Sequence, residues 1–375
     1  MRTKAAALTM SVLLAATAAC GGGHADDGAG HEQVLAMPDD IDTSDGLTIE
    51  GERIADDDLY EAAKKDPVVL YSGSGQKSED LTTARFTAET GIDIQLMRMP
   101  TSKLSERVLS EHGANQLQAD VVRVTDPIVA QRLSDAGVYV PYRSPTYDEL
   151  AGKDNAVFDG GRYLTSYYSV YTFAYNSAML APEEAPKTWR DLLDPTWEKE
   201  LGVVHAGAGG TVTALAAFHI DRFGVNYLRR LGEQSPRIFD TTSVQIEALA
   251  RGEISAATLG FNSTYGAKIE GAPIELVVPD EGVSGSFNLM GLTPGGAHSA
   301  AAKVFVNWTM SKSGQKFAAA QGFVPARTDT PKTPTGKYQL PSADSDKFHL
   351  FTPEDAEKRS GSTVRAWNDA FEFTG

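Results

Sequence analysis

Residues 68–94 read VVLYSGSGQKSEDLTTARFTAETGIDI, and the reading of this stretch decides the fold. Val68-Val69-Leu70-Tyr71 is a short apolar run of strand character that ends in Ser72-Gly73-Ser74-Gly75. Leu81, Ala84, Phe86 and Ala88 then suggest a helix, which Gly91 stops. Residues 92–96 (IDIQL) alternate as a half-buried strand does. The cycle recurs downstream. Leu104 and Val108 mark a helix, 120–124 (DVVRV) a strand and 127–136 the next helix. Strands alternating with helices predict parallel α/β units.

Residues 163–175 (YLTSYYSVYTFAY) read as a long strand with Tyr167, Ser169, Tyr171, Phe173 and Tyr175 on one face, in the core or at an interface between lobes. A short helix is expected from Pro186 to Leu193, ended by Pro195. Residues 201–204 form a strand that runs into His205-Ala206-Gly207-Ala208-Gly209-Gly210-Thr211 and a helix over 212–219. A further helix ends at 246–252, and a strand at 254–259 leads to Phe261-Asn262-Ser263-Thr264-Tyr265. Ala301, Val304, Phe305, Trp308 and Met310 mark another helix, 331–341 a loop, and 354–371 a last helix.

The 375 residues are 41% hydrophobic and 22% charged, enough for two or three domains or lobes with a sizeable core. Fifty acidic residues against 34 Lys and Arg give a net charge of −16. That balance argues against nucleic acid held by phosphate neutralisation, and against adhesion to anionic lipid by charge alone. The single cysteine excludes an internal disulfide and a multi-thiolate metal site. The chain begins MRTKAAALTMSVLLAATAAC. Two basic residues precede a fifteen-residue apolar run that ends in small residues, the pattern of an export signal over 1–19. Cys20, between Thr17-Ala18-Ala19 and Gly21-Gly22-Gly23, resembles a bacterial lipoprotein processing site, which would make it the lipidated first residue and tether the protein to a membrane. Residues 20–58 carry twelve acidic residues and one basic one, and are expected to be a disordered linker.

Two loops share one logic: Ser72 to Gln76, and His205 to Thr211. Each is glycine-rich, follows a strand and opens a helix, so backbone N–H groups and the positive end of a helix dipole face whatever approaches. A bound anion and a plain tight turn both fit such a loop. The first lacks the third glycine of a dinucleotide fingerprint, and no G-x-x-x-x-G-K-[ST] or G-x-S-x-G motif occurs. No residue set demands an enzyme; an exported hydrolase or a surface sensor are the alternative classes.

Taken with ADVVRVTD at 119–126, YNSAMLAPEEAPKTWRDLLDPTWEKELG at 175–202, GEISAATLGFNSTYG at 252–266, PDEG at 279–282 and AAKVFVNWTMSKSGQKFAAAQGFVPAR at 301–327, the opening stretch resembles the ferric-iron family of bacterial ABC-importer substrate-binding proteins, a branch of the two-lobed periplasmic-binding-protein class. The resemblance implies an α/β type II-like fold with crossover strands and a ligand cleft. Lobe 1 would hold 59–160 and 284–330, lobe 2 161–283 and 331–375. It implies a monomer that captures ferric iron as cargo, with no resident cofactor, and hands it to a permease and ATPase. Ligand-binding positions carry over to Ser72, Gly73, Ser74 and Gln76, to Asp126, to Ala206, Gly207, Ala208, Gly209 and Thr211, and to Thr242, Thr264 and Tyr265. Tyr265 and Asp126 would be the metal ligands. Where the family commonly has two adjacent tyrosines this chain has Thr264-Tyr265, so a small organic phosphate, phosphonate or thiamine-like ligand is the alternative cargo.

Overall fold

The computed structural model describes residues 37–330, 335 and 337–375. The export signal, Cys20 and the first part of the acidic stretch lie outside the described residues. From Ile41 onward that stretch is structured, which corrects the expectation of a linker running to residue 58. Strands β1 (Ile41–Asp42), β2 (Leu47–Ile49) and β3 (Glu52–Ala55) form an antiparallel sheet, and α1 (Asp57–Ala63) follows, capped by Asp56. Leu47, Ile49 and Ile54 are buried. The acidic residues find cations: Glu50 pairs with Lys316 and Glu52 with Arg327. Composition alone misjudged the segment because a few apolar residues and distant basic partners order it.

The main sheet has twelve strands. Its first part is β4 (Val68–Ser72), β5 (Ile94–Arg98) and β6 (Val121–Val124), parallel, in spatial order β5-β4-β6. Helices α2 (Gln76–Thr90), α3 (Thr101–Gly113) and α4 (Pro127–Asp135) follow these strands in turn. After α5 (Tyr147–Ala151) and β7 (Val157–Phe158) comes β8 (Tyr163–Asn176). A second parallel set has β9 (Leu201–Val204), α6 (Gly210–Phe223), α7 (Val225–Glu233), β10 (Arg237–Phe239), α8 (Thr242–Ala250), β11 (Ala256–Gly260) and α9 (Phe261–Ile269). Its spatial order is β10-β9-β11, the same as the first.

Two long strands join the sets. β8 pairs over 171–176 with β11 and with β12 (Ile274–Val277). β13 (Val283–Leu292) pairs with β8 along most of its length and, from Leu289 onward, with β6. These are the crossover strands of a two-lobed molecule. Their register shifts between Asn288 and Leu289, where β13 begins to pair with the first lobe. Helices α10 (Ala300–Thr309) and α11 (Lys312–Ala320) return to that lobe, and β14 (Val324–Pro325) pairs with β8. β15 (Phe348–Leu350) joins β13, and α12 (Pro353–Ala370) packs on α6 and α7 and reaches α4.

Two local readings change. In α2, Leu81 is exposed, while Glu79, Thr82, Arg85 and Glu89 are buried beside Phe86, so the inward face is largely polar. The stretch from Pro186 makes only a 3-10 turn, Asp191–Leu193. Trp189 is drawn into the core instead, its indole donating to the Gly282 carbonyl at 2.9 Å.

His219 of α6 is sealed among Trp189, Phe218, Phe223 and Tyr227, with the Trp189 ring at 4.7 Å. Burial lowers its pKa to about 3. The folded chain holds it neutral, whereas the unfolded chain protonates it near 6.5, so acidification favours the unfolded state between those values. Between pH 7 and pH 5 the native state should lose about 2 kcal/mol through this group. Unfolding free energies of His219→Phe, from denaturant titrations at the two pH values, should differ less than those of the parent by that amount.

Candidate ligand cleft

In each lobe the chain lays down a central strand, moves outward to one neighbour, then crosses to the other side. The gap beside the central strand is a topological switch point, and loops at the carboxyl ends of the strands part there to admit ligands. The loop at 72–76 follows β4 and the loop at 205–210 follows β9, the central strands of the two lobes. The Thr125-Asp126 loop after β6 and the first turn of α9 with Asn262, directly after β11, complete the switch points. Here the lobes touch: Gly210 packs on the Thr125 carbonyl and Asp126, Asn262 donates to Ser78 Oγ at 3.3 Å, and Lys77 pairs with Glu270.

The first loop is held from below. Arg123 and Glu79, both wholly buried, form an ion pair with Arg123 Nη1 at 2.9 Å from each carboxylate oxygen. Ser72 Oγ donates to Glu79 at 2.7 Å and accepts from the Ser74 N–H. Gly73 donates to the Arg123 carbonyl and lies so close to Thr101 that an added Cβ would collide with its hydroxyl. Ser74 Oγ donates to Asn288 Oδ1, and Asn288 Nδ2 donates to Ser169 Oγ, each at 2.8 Å. The loop is thus tied to both crossover strands. Arg98 Nε donates to the Ser74 carbonyl, placing a guanidinium at the rim. Gln76 is exposed and bonded to Asp80.

The second loop is more open. Ala206 is buried and its carbonyl accepts from Thr213 Oγ1, while Gly207, Ala208 and Gly209 are exposed and Thr211 is half-buried. Helix α6 starts without a side-chain cap. Its first N–H groups therefore lack the usual oxygen partner. Beside it lies a cavity of about 170 Å³ lined by Thr125, Asp126, Gly207, Gly209, Gly210 and Ser286, among others. The buried Ser286 hydroxyl has no hydrogen-bond partner among the described residues. Asp126 caps α4, one oxygen accepting from the Ile128 and Val129 N–H groups.

Thr242 shares a hydrogen bond of 2.7 Å with the phenol of Tyr171, whose pKa burial pushes up to about 12, so it stays protonated. Thr264 is fully buried and donates to the Gly260 carbonyl within its own helix. Tyr265 is 2% exposed, its ring 5.7 Å from Phe261 and 6.2 Å from Tyr338. The structure therefore gathers Asp126 with Gly207 and Gly209 around one cavity, and Tyr265 into an aromatic cluster. Among the described residues no group of three His, Cys, Asp or Glu side chains could hold a metal ion.

Sequence reasoning missed Thr101, Ser286 and Asn288. A signal for the last two was present. Ser284, Ser286 and Asn288 recur at period two in the apolar strand β13, opposite Tyr171, Ser169 and Tyr167. These residues share one face of the two crossover strands, and Ser286 among them lines the cavity.

The family model described as bacterial extracellular solute-binding protein matches residues 118–347. An uncharacterised protein of Haemophilus influenzae is 30% identical over 274 residues, 70% of this chain and 78% of that protein. A putative 2-aminoethylphosphonate-binding periplasmic protein of Salmonella typhimurium is 25% identical over 264 residues, covering 68% and 74% of the two chains. The crystal structure of iron-bound HitA from Pseudomonas aeruginosa shares the fold with a TM-score of 0.62 at 21% identity, over 81% of this chain and 99% of that one.

Removing one partner of the buried pair leaves an uncompensated charge. Glu79→Ala should cost about 3–5 kcal/mol in denaturant unfolding. Arg98→Ala, at the exposed rim, should change stability by less than about 0.5 kcal/mol in the same assay.

Proposed function

The chain belongs to the bacterial extracellular solute-binding proteins, the capture components of ABC importers, and we propose that its cargo is a small organic anion bearing a phosphoryl or phosphonyl group. The observation that carries this reading is the cavity beside the uncapped start of α6, with the unpartnered Ser286 hydroxyl in its wall. Backbone N–H groups at a helix start, together with hydroxyls, hold oxyanions without a full counter-charge. Its volume of about 170 Å³ suits a ligand of a few heavy atoms rather than a nucleotide. The relative named as a putative 2-aminoethylphosphonate-binding protein, at 25% identity, supports the same chemistry. Ferric ion, put first by the family resemblance, wants several anionic oxygens. Asp126 caps a helix and Tyr265 sits among rings, so that reading has less support from the geometry. The likeness to the iron-bound structure, at 21% identity, extends to the fold alone.

In this reading the lobes close over the anion by bending β8 and β13, and the shut form is what a permease receives. Cys20 would carry the lipid that keeps the protein at the outer face of the cytoplasmic membrane.

Calorimetric titration of the purified protein with inorganic phosphate, methylphosphonate and 2-aminoethylphosphonate, beside a visible-absorption titration with ferric citrate, tests the cargo. A saturable phosphonate isotherm without a charge-transfer band is the expected result. Ser286→Ala should weaken that isotherm about fivefold, the worth of one hydrogen bond. A saturable ferric band that disappears in Tyr265→Phe, with no phosphonate heat, would replace the anion reading with iron.

A further inference from the structure

The match to the family model ends at Lys347, and the chain goes on through β15 and α12. Three side chains of α12, Ala356, Ser360 and Val364, line the cavity beside the α6 start, together with Phe351 just before the helix. They are four residues apart and so form one stripe of the helix. Phe351 and Ala356 pack with Ala214 and Ala217 of α6, and Ile128 of α4, in the first lobe, packs against that cluster.

The helix is fixed firmly enough to act as a wall. Thr352 caps it by accepting from the Asp355 N–H. Arg359 Nη2 reaches both oxygens of Asp221 on α6, at 2.8 and 2.9 Å. At the far end Trp367 stacks on Phe371 at 4.2 Å, and Phe373 stacks on His205 of the anion loop at 5.2 Å. Gly232 of α7 lies so near the Ala370 carbonyl that any side chain there would push α12 away. The stripe holds a methyl, a hydroxymethyl and an isopropyl group and no charge, so it offers van der Waals contact to a neutral part of a ligand and nothing to a bare ion.

We infer that α12 is the specificity wall of this site. The loops of the family core hold the anionic head, and the stripe Ala356-Ser360-Val364 limits the length and polarity of what is attached to it. The inference rests on the cavity's being the anion site. It makes Ser360 and Val364 specificity-determining residues on a segment outside the family match, and it makes the cargo an organic anion whose neutral part is short.

Isotherms of inorganic phosphate and of methyl-, ethyl- and propylphosphonate, measured on the parent, Ser360→Phe and Val364→Ala, test it, with thermal unfolding as the control for folding. In the parent, affinity should rise about fourfold per methylene, the worth of a buried CH₂, until the wall is met. Ser360→Phe should weaken propylphosphonate at least tenfold more than it weakens inorganic phosphate, since a packed site accepts no added bulk. Val364→Ala, which only removes atoms, should move the optimum to a longer chain. Isotherms indifferent to chain length in all three proteins overturn the wall and leave the anion site standing. No heat from any of the four compounds with the folded parent overturns the anion site and the wall together.

Discussion

Arg123 is buried without access to water and is answered by one carboxylate, Glu79, which is equally buried. Two charges so placed are stable only as a pair, and the geometry around them has little freedom. Glu79 comes from the first turn of α2 and Arg123 from β6, so the pair locks the helix that opens the first lobe to the strand beside it. Ser72 reads the position of Glu79, Ser74 follows Ser72, and Asn288 carries the constraint to both crossover strands. This chain of hydrogen bonds ties the first loop to the two strands that join the lobes.

The site is built mostly from neutral groups. Helix starts and hydroxyls converge from two lobes with the same strand order, and the cations nearby are committed: Arg123 to Glu79, Lys77 to Glu270, Arg98 through its Nε to the Ser74 carbonyl. The anion proposed as cargo would, if held by oriented dipoles, be released when the lobes part, because no fixed counter-charge would be left behind. That suits a protein that must give up its cargo. The net charge of −16 sets up no long-range attraction for anions, so in that proposal short-range donors would do the recognising.

Two local signals pointed the wrong way for one reason. The apolar residues that marked α2 include Leu81, which is exposed, whereas the helix turns its charged residues inward to meet Arg123 and Trp308, the latter donating to Glu89 at 2.7 Å. The acidic stretch before residue 58 looked unable to fold, yet Lys316 and Arg327, more than 250 residues away, supply its counter-charges. In each case the deciding partner is remote in the chain.

What the sequence by itself determined is the alternation of strand and helix, the glycine loops at 72–76 and 205–211, and the long tyrosine-bearing strand. These rest on periodicity and backbone freedom, which act over a few residues. The broad solute-binding family and its role in an importer were legible too, though not the ferric-iron branch, because the motifs that carry them are contiguous. Only the tertiary structure decided which hydroxyls remain available to a ligand. Ser72 and Thr264 are engaged internally, and Ser286 has no partner among the described residues. It also brought a helix that begins at Pro353 against a cavity lined by Gly207, Gly209 and Gly210. Side-chain pairing depends on groups as far apart as Ser74 and Asn288, and no local pattern encodes such a meeting.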